Sequence, residues 1–334
     1  MSRIRIVLDN VRRQVQVSRP RIAEELHSVG DVSLATYLHQ ADRTLADIYR
    51  GRSSWTELRR AAGLPTAEPG PDEDGLLRRL VRLAHVDDPE RLTFLRRFLE
   101  ADTPPPAATL SLRDQRLLAM LFFSLWPDGG GFSTVDEGLR HLWRHPAVRA
   151  EMLALGDVLD EGGEYVPRPL SPHFADVPLW AHCRYSREEL LAAAGHARLD
   201  RVPRADMAGV RWVEDLQTDV LTVTLQKSER HYSPTTQYRD YAISPELFHW
   251  ETQNITSTSS PTGQRYLNQR NSGTHVLLFA RETRTDDAGA AAPFLLMGEA
   301  DYVSHTGERP IAITWRLRQP LPARFFASAA VVAG

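Results

Sequence analysis

The sequence predicts an α+β protein in which helical N-terminal units are followed by a small β-barrel C-terminal domain. Two observations carry this. Apolar residues recur at helical spacing through roughly the first two hundred positions, and after Asp206 they fall into short runs rich in β-branched and aromatic residues. A Pro-, Gly- and acid-rich stretch, Pro65 to Gly75, also separates the first helical block from the second.

From Ser18 to Leu64 the positions Ile22, Leu26, Val29, Leu34, Tyr37, Leu38, Ala41, Leu45 and Ile48 follow a helical period, broken by Gly30 and Gly51. Ser54 is placed to cap the next helix, with Glu57 completing a capping box and Gly63 ending it. A second helical block spans Leu76 to Glu100 and stops at Thr103-Pro104-Pro105-Pro106. The third runs from about Leu112 to Leu159, with Leu117 to Trp126 as its buried helix and Gly129-Gly130-Gly131 as a loop. Ser186 can cap a further helix that Gly195 closes. Strands are expected at Val220 to Leu225, Leu247 to Thr252, His275 to Arg281, Phe294 to Gly298, Tyr302 to Ser304 and Ile311 to Leu317. The expected divisions are a helix-turn-helix-like domain over 1–64, a linker over 65–75, a helical domain over 76–205 and a β-rich recognition domain over 206–334.

The chain has 334 residues, 42% hydrophobic and 25% charged, with a formal net charge of -3. No apolar run is long enough to span a bilayer and the N-terminus lacks the apolar stretch of a signal peptide, so a cytoplasmic protein without a membrane partner is expected. The single cysteine, Cys183, excludes an internal disulfide and a Cys-rich zinc site. Positive charge is carried by Arg except at Lys227. Residues 1–63 hold eleven Arg against seven acids, including Arg12, Arg13, Arg19, Arg21, Arg50, Arg52, Arg59 and Arg60. Such a face suits a duplex, although an Arg-rich solvated face, with a G+C-rich genome encoding Arg in place of Lys, is the commoner explanation.

Several segments of the second half are distinctive: Thr224 to Glu229, Tyr232 to Ser244, Leu247-Phe248-His249-Trp250, Pro261 to Tyr266, Val276 to Glu282 and Ala300 to His305. Together they resemble a bacterial domain of unknown function found at the C-terminal end of long superfamily II helicases, often behind a phospholipase-D-like nuclease domain. The resemblance covers the chain after about Val177, and more loosely Tyr49-Arg50-Gly51 and Ser54 to Leu64. It implies a DNA-handling, restriction-like or phage-defence setting, with a helicase or nuclease partner in cis or in trans, and a barrel of the PUA or SRA kind by analogy. The motor itself is missing: there is no Gly-x-x-x-x-Gly-Lys-Ser/Thr loop and no His-x-Lys pair.

Catalytic patterns are hard to find. Leu225 stands where a carboxylate-x-lysine nuclease needs an acid, there is no Gly-x-Ser-x-Gly elbow, and Cys183 beside His182 reads as an incidental thiol. A metal-dependent nuclease assembled from His231, His249, Asn254, His275, Asp301 and His305 lacks any ligand spacing. The expectation is therefore a non-enzymatic module without cofactor. Its candidate nucleic-acid-binding residues are Tyr232, Ser233, Thr235, Thr236, Tyr238, His249, Trp250, Gln253, Gln264, Arg265, Tyr266, His305 and Arg309. The aromatics would stack on a modified or flipped base, the amides would read its edge, and Arg265 and Arg309 would either clamp phosphate or form structural salt bridges. The alternative for Phe248 and Trp250 is that they fill the barrel. The rival function is a regulatory module docking a helicase partner.

Overall fold

The computed structural model describes residues 18–49, 51, 53–203, 209–226, 240–286 and 290–331. Tyr232, Ser233, Thr235, Thr236 and Tyr238 lie outside the described residues, as do Arg12, Arg13, Arg50, Arg52, Asp206, Lys227 and His231. The architecture is mixed α+β, with helices first and a sheet toward the C-terminus. It divides into two compact units, Met1–Ala84 with Leu142–Val158, and His85–His141 with Leu159–Gly334.

The first unit contains α1 (Arg19–Val29), α2 (Leu34–Gln40), α3 (Leu45–Tyr49), α4 (Trp55–Ala61) and α5 (Glu73–Leu77). Ile22, Leu26, Leu34, Tyr37, Ile48, Trp55 and Leu58 are its buried apolar positions, with the Tyr37 and Trp55 rings 5.3 Å apart. Ser54 caps α4 by accepting from the Glu57 N–H, but no capping box closes. The Glu57 carboxylate instead faces Arg19 and the Ser54 hydroxyl. The first two N–H groups of α4 donate to the buried Glu151 carboxylate, each at 2.8 Å. Residues 65–75, read from sequence as a linker, carry Glu73, which is 1% exposed and accepts from Arg60 at 2.6 Å. Arg19, Arg21, Arg59 and Arg60 meet Glu57, Glu25, Asp31 and Glu73 respectively. The described arginines of this block are thus each paired with a carboxylate.

The second unit sets α6 (Pro89–Leu99), α7 (Leu112–Leu125) and α10 (Arg187–Ala193) beside the sheet; α8 (Val135–Trp143) and α9 (Pro146–Asp160) cross the unit boundaries. The apolar run of α7 is buried from Leu117 to Leu125, as its composition predicts. Ser186 and Glu189 form a reciprocal capping box on α10, and Gly195, at φ +72°, ends that helix in the left-handed conformation that glycine tolerates.

Strands β1 (Arg168–Pro169) and β2 (Trp180–Ala181) pair separately. The main sheet comprises β3 (Arg184–Tyr185), β4 (Val210–Val213), β5 (Thr218–Thr224), β6 (Tyr241–Ser244), β7 (Leu247–Glu251), β8 (His275–Arg281), β9 (Phe294–Thr306) and β10 (Ala312–Leu317). Its order is β4-β5-β8-β9-β10-β7-β6, with β3 pairing β9 off this path. Among the described residues only β5 and β8 run parallel. The 13-residue β9 joins two half-sheets: Leu295–Glu299 pair with β8 and Ala300–Thr306 with β10. Register shifts at Leu278/Phe279, Thr314/Trp315 and Ala242/Ser244 bend it, since a bulge raises local twist. Among the described residues no pairing joins β4 to β6, so the sheet is open and the expected barrel is not closed. One core lies against this sheet, built from Leu221, Val223, Phe248, Trp250, Leu278, Met297, Ile313 and Trp315, with Tyr266 of α11 (Pro261–Leu267) and Phe325 of α13 (Ala323–Val331) packed into it. The short α12 (Gln269–Ser272) follows α11.

Candidate functional site

Alternation along β7 decides which side chains are available. Phe248 and Trp250 point into the core, while Leu247, His249 and Glu251 are half-buried on the other face. The same holds on β10, where Ile313, Trp315 and Leu317 are buried and Ala312, Thr314 and Arg316 face outward. Register then brings outward residues side by side. His249 lies between Tyr241 and Thr314, and Thr314 lies opposite Ser304. The Tyr241 and His249 rings stack at 4.8 Å with an interplanar angle of 26°. His249 Nε2 stands 3.7 Å from a Glu251 carboxylate oxygen, and Arg316 is exposed one register step away. The result is a four-stranded antiparallel face, β9-β10-β7-β6, carrying a ring pair, two hydroxyls, a carboxylate and a guanidinium.

The other expected site residues disperse. Trp250 and Tyr266 are 4% and 2% exposed and contact each other edge-on at 5.4 Å, so they fill the core instead of offering a ring to a base. Arg265 gives both arms of its guanidinium to the buried Asp219 at 2.7 Å each and lies 4.2 Å from the Trp212 ring centre, so its fork is committed to a carboxylate and not to phosphate. Burial pushes the Asp219 carboxyl up against the opposing pull of Arg265. Gln264 is exposed, donating to the Thr258 carbonyl and accepting from Asn268. The Gln253 carbonyl accepts from the Thr256 N–H in a turn, and Arg309 Nε donates to the Asn254 carbonyl. His305 is exposed and bonds the Tyr302 hydroxyl at 2.6 Å. By register it lies opposite Ile313, which in turn lies opposite Trp250. His305 therefore belongs to the opposite sheet face from His249, and the two do not line one pocket. Among the described residues no group of three His, Cys, Asp or Glu side chains is placed to hold a metal ion.

A second polar cluster is interior. Glu189, fully buried, accepts from Arg91 at 2.6 Å, His85 at 2.7 Å, the Ser124 hydroxyl at 2.8 Å and the Ser186 N–H at 2.7 Å. Burial alone would raise its carboxyl, but Arg91 and His85 hold it well below the usual carboxylate range. Nearby, Asp88 caps α6 through the Glu90 and Arg91 N–H groups and accepts from the Tyr185 hydroxyl at 2.6 Å. Asp87 accepts from Arg184, which also pairs with Glu164. Cys183 is 1% exposed, and burial followed by the Asp87 and Asp88 charges pushes its thiol up, so it is not poised as a thiolate.

Burial raises Asp88 to about 6 despite Arg91 and Tyr185. A carboxyl whose folded value exceeds its unfolded value costs stability above the folded value, and that cost fades as pH falls toward the unfolded one. Asp88→Asn, which retains the cap, should therefore raise stability at pH 7.5 by about 2 kcal/mol, with the gain shrinking toward pH 4. Urea denaturation at several pH values checks this; a gain independent of pH would contradict it.

Tyr241, Thr314 and Arg316 were not singled out from sequence. Tyr241 belongs to a four-residue strand too short to show a period, and its neighbours across the sheet are set by register alone. No curated protein matches the chain. The stretch from β2 to α13, residues 179–329, matches the model of a family described as a domain of unknown function, DUF3427.

Proposed function

We propose that this protein is a non-catalytic nucleic-acid-binding accessory module, acting in the cytoplasm beside a helicase or nuclease of a defence or restriction system. Its reading surface is the outward face of β9-β10-β7-β6. The observation that carries this is the stacked Tyr241–His249 pair on the sheet face opposite the core. Sheet-borne aromatics offer a sequence-tolerant platform for bases, and flanking hydroxyls and arginines supply hydrogen bonds and phosphate contact. Thr314, Ser304 and Arg316 stand in those places. The DNA setting rests on the resemblance to helicase-associated domains, and the bent sheet is read as an open relative of a PUA- or SRA-like barrel. A modified or flipped base is the ligand that such a platform suits.

A second reading, docking of a helicase or other protein partner, is favoured by the carboxylate-paired arginines of the first unit. Ile243 on β6 and Val303 on β9, exposed at 47% and 38%, point the same way. Fluorescence anisotropy with labelled single-stranded and duplex DNA at two salt concentrations separates them. Nucleic-acid binding should weaken steeply with salt, because phosphate contacts release counterions. No binding at low salt would leave the docking reading.

A further inference from the structure

His173 and His275 stack face to face, ring centres 3.7 Å apart and planes 15° from parallel, with Phe174 edge-on to both. His173 sits on the turn Pro172–Phe174, and His275 opens β8. The pair fastens three segments. His173 Nε2 donates to the Leu216 carbonyl at 2.9 Å, and the His275 N–H donates to the Gln217 carbonyl at 2.9 Å, so the turn between β4 and β5 is held from both sides. His275 Nδ1 is buried with no hydrogen-bond partner among the described residues. A neutral imidazole tolerates that as an unused lone pair. A second proton would create a buried donor without an acceptor and a cation against the His173 ring.

We propose that the His173–His275 stack is a pH-sensitive latch that holds the β4–β5 turn and the Pro172–Phe174 turn onto the start of β8, and releases them on acidification. The charged groups around it do not offset this. Glu299 receives the Ser171 N–H and hydroxyl and Arg318, and Asp301 is paired with Arg318, so both carboxylates are committed. Glu214 and Asp215 lie on the latched turn itself. Burial first, then His173 and Arg318, lower the proton affinity of His275 against the smaller opposing pull of Glu299 and Asp301. A histidine with a depressed folded value gives stability that is present above its unfolded value and lost as pH falls below it. The loss therefore begins at about pH 6.5 and deepens below.

Hydrogen exchange of the full chain, read at the amides of residues 216–218 and His275 and corrected for intrinsic rates, tests the latch. Between pH 7.5 and 5.5 the wild type should lose protection at these amides, by up to the roughly tenfold that uptake of one full proton on opening produces. His275→Phe, which keeps a stacking ring without a titratable nitrogen, should remove that pH dependence, and His275→Gln should do the same if the Phe variant fails to fold. His145 and His182, also lowered by burial, are common to all three proteins and cancel in the comparison. Equal loss of protection in wild type and either variant, or no loss in wild type, would overturn the proposal.

Discussion

Glu189→Gln is expected to destabilise the second unit by about 3 to 5 kcal/mol, because it removes the charge but not the shape from a buried ion pair. Arg91 is 3% exposed and donates to Glu189 at 2.6 Å, so neutralising that carboxylate leaves a buried cation without its hydrogen-bonded counter-ion and with only the Asp88 charge nearby. Glu189 also receives His85, Ser124 and the Ser186 N–H, and therefore ties α6, α7 and α10 together through one side chain. Arg91→Met combined with Glu189→Gln should lose less than the sum of the two single changes, since the stranded charge then disappears as well. Urea denaturation of the four proteins gives the cycle. A loss near 1 kcal/mol for Glu189→Gln, the size expected of a single neutral hydrogen bond, would contradict this account.

Gly263→Ala should cost about 3 kcal/mol or more, at the upper end of what overpacking produces. A Cβ at this helical position would stand 2.0 Å from the Ser257 carbonyl oxygen and 3.2 Å from Ile311 Cδ1. The Ser257 carbonyl cannot retreat freely, because it accepts from both the N–H and the hydroxyl of Ser260, and Ser260 caps α11 through the Gly263 N–H. Displacing that turn would unseat Tyr266, which packs edge-on against Trp250 and Trp315. Thermal and urea unfolding measure the effect; wild-type stability in the alanine variant would show that the contact is not rigid.

The helix-then-strand order was legible because it rests on local periodicity, and caps at Ser54 and Ser186 with stops at Gly63 and Gly195 were legible for the same reason. What failed depends on partners distant in sequence. Phe294 to Gly298 and Tyr302 to Ser304 read as two strands from their separate apolar runs. In the structure Gly298 sits at φ +122° inside one continuous β9, where it serves the bend. The four-residue strands β4 and β6 were too short to declare themselves, and with β6 went Tyr241. Arg265 resembled a phosphate clamp until Asp219, 46 residues away, was found in its fork. Glu151 and Glu189 gave no signal as interior carboxylates, since Trp55 and Thr56 for the one, and His85, Arg91 and Ser124 for the other, lie more than sixty residues away. The alternative that Phe248 and Trp250 fill the interior was legible from the alternation of one strand, and His249 lies on the other, half-buried face.

The central claim is that the Tyr241–His249 pair is a platform for bases. The affinity of Tyr241→Ala for a labelled single-stranded oligonucleotide tests it most directly, compared with wild type at one low salt concentration and with thermal unfolding run in parallel. Loss of one stacking partner is worth about 1 to 3 kcal/mol, so affinity should fall at least about fivefold while the unfolding midpoint stays close to that of wild type. Wild-type affinity in a folded Tyr241→Ala protein would contradict the assignment of this face.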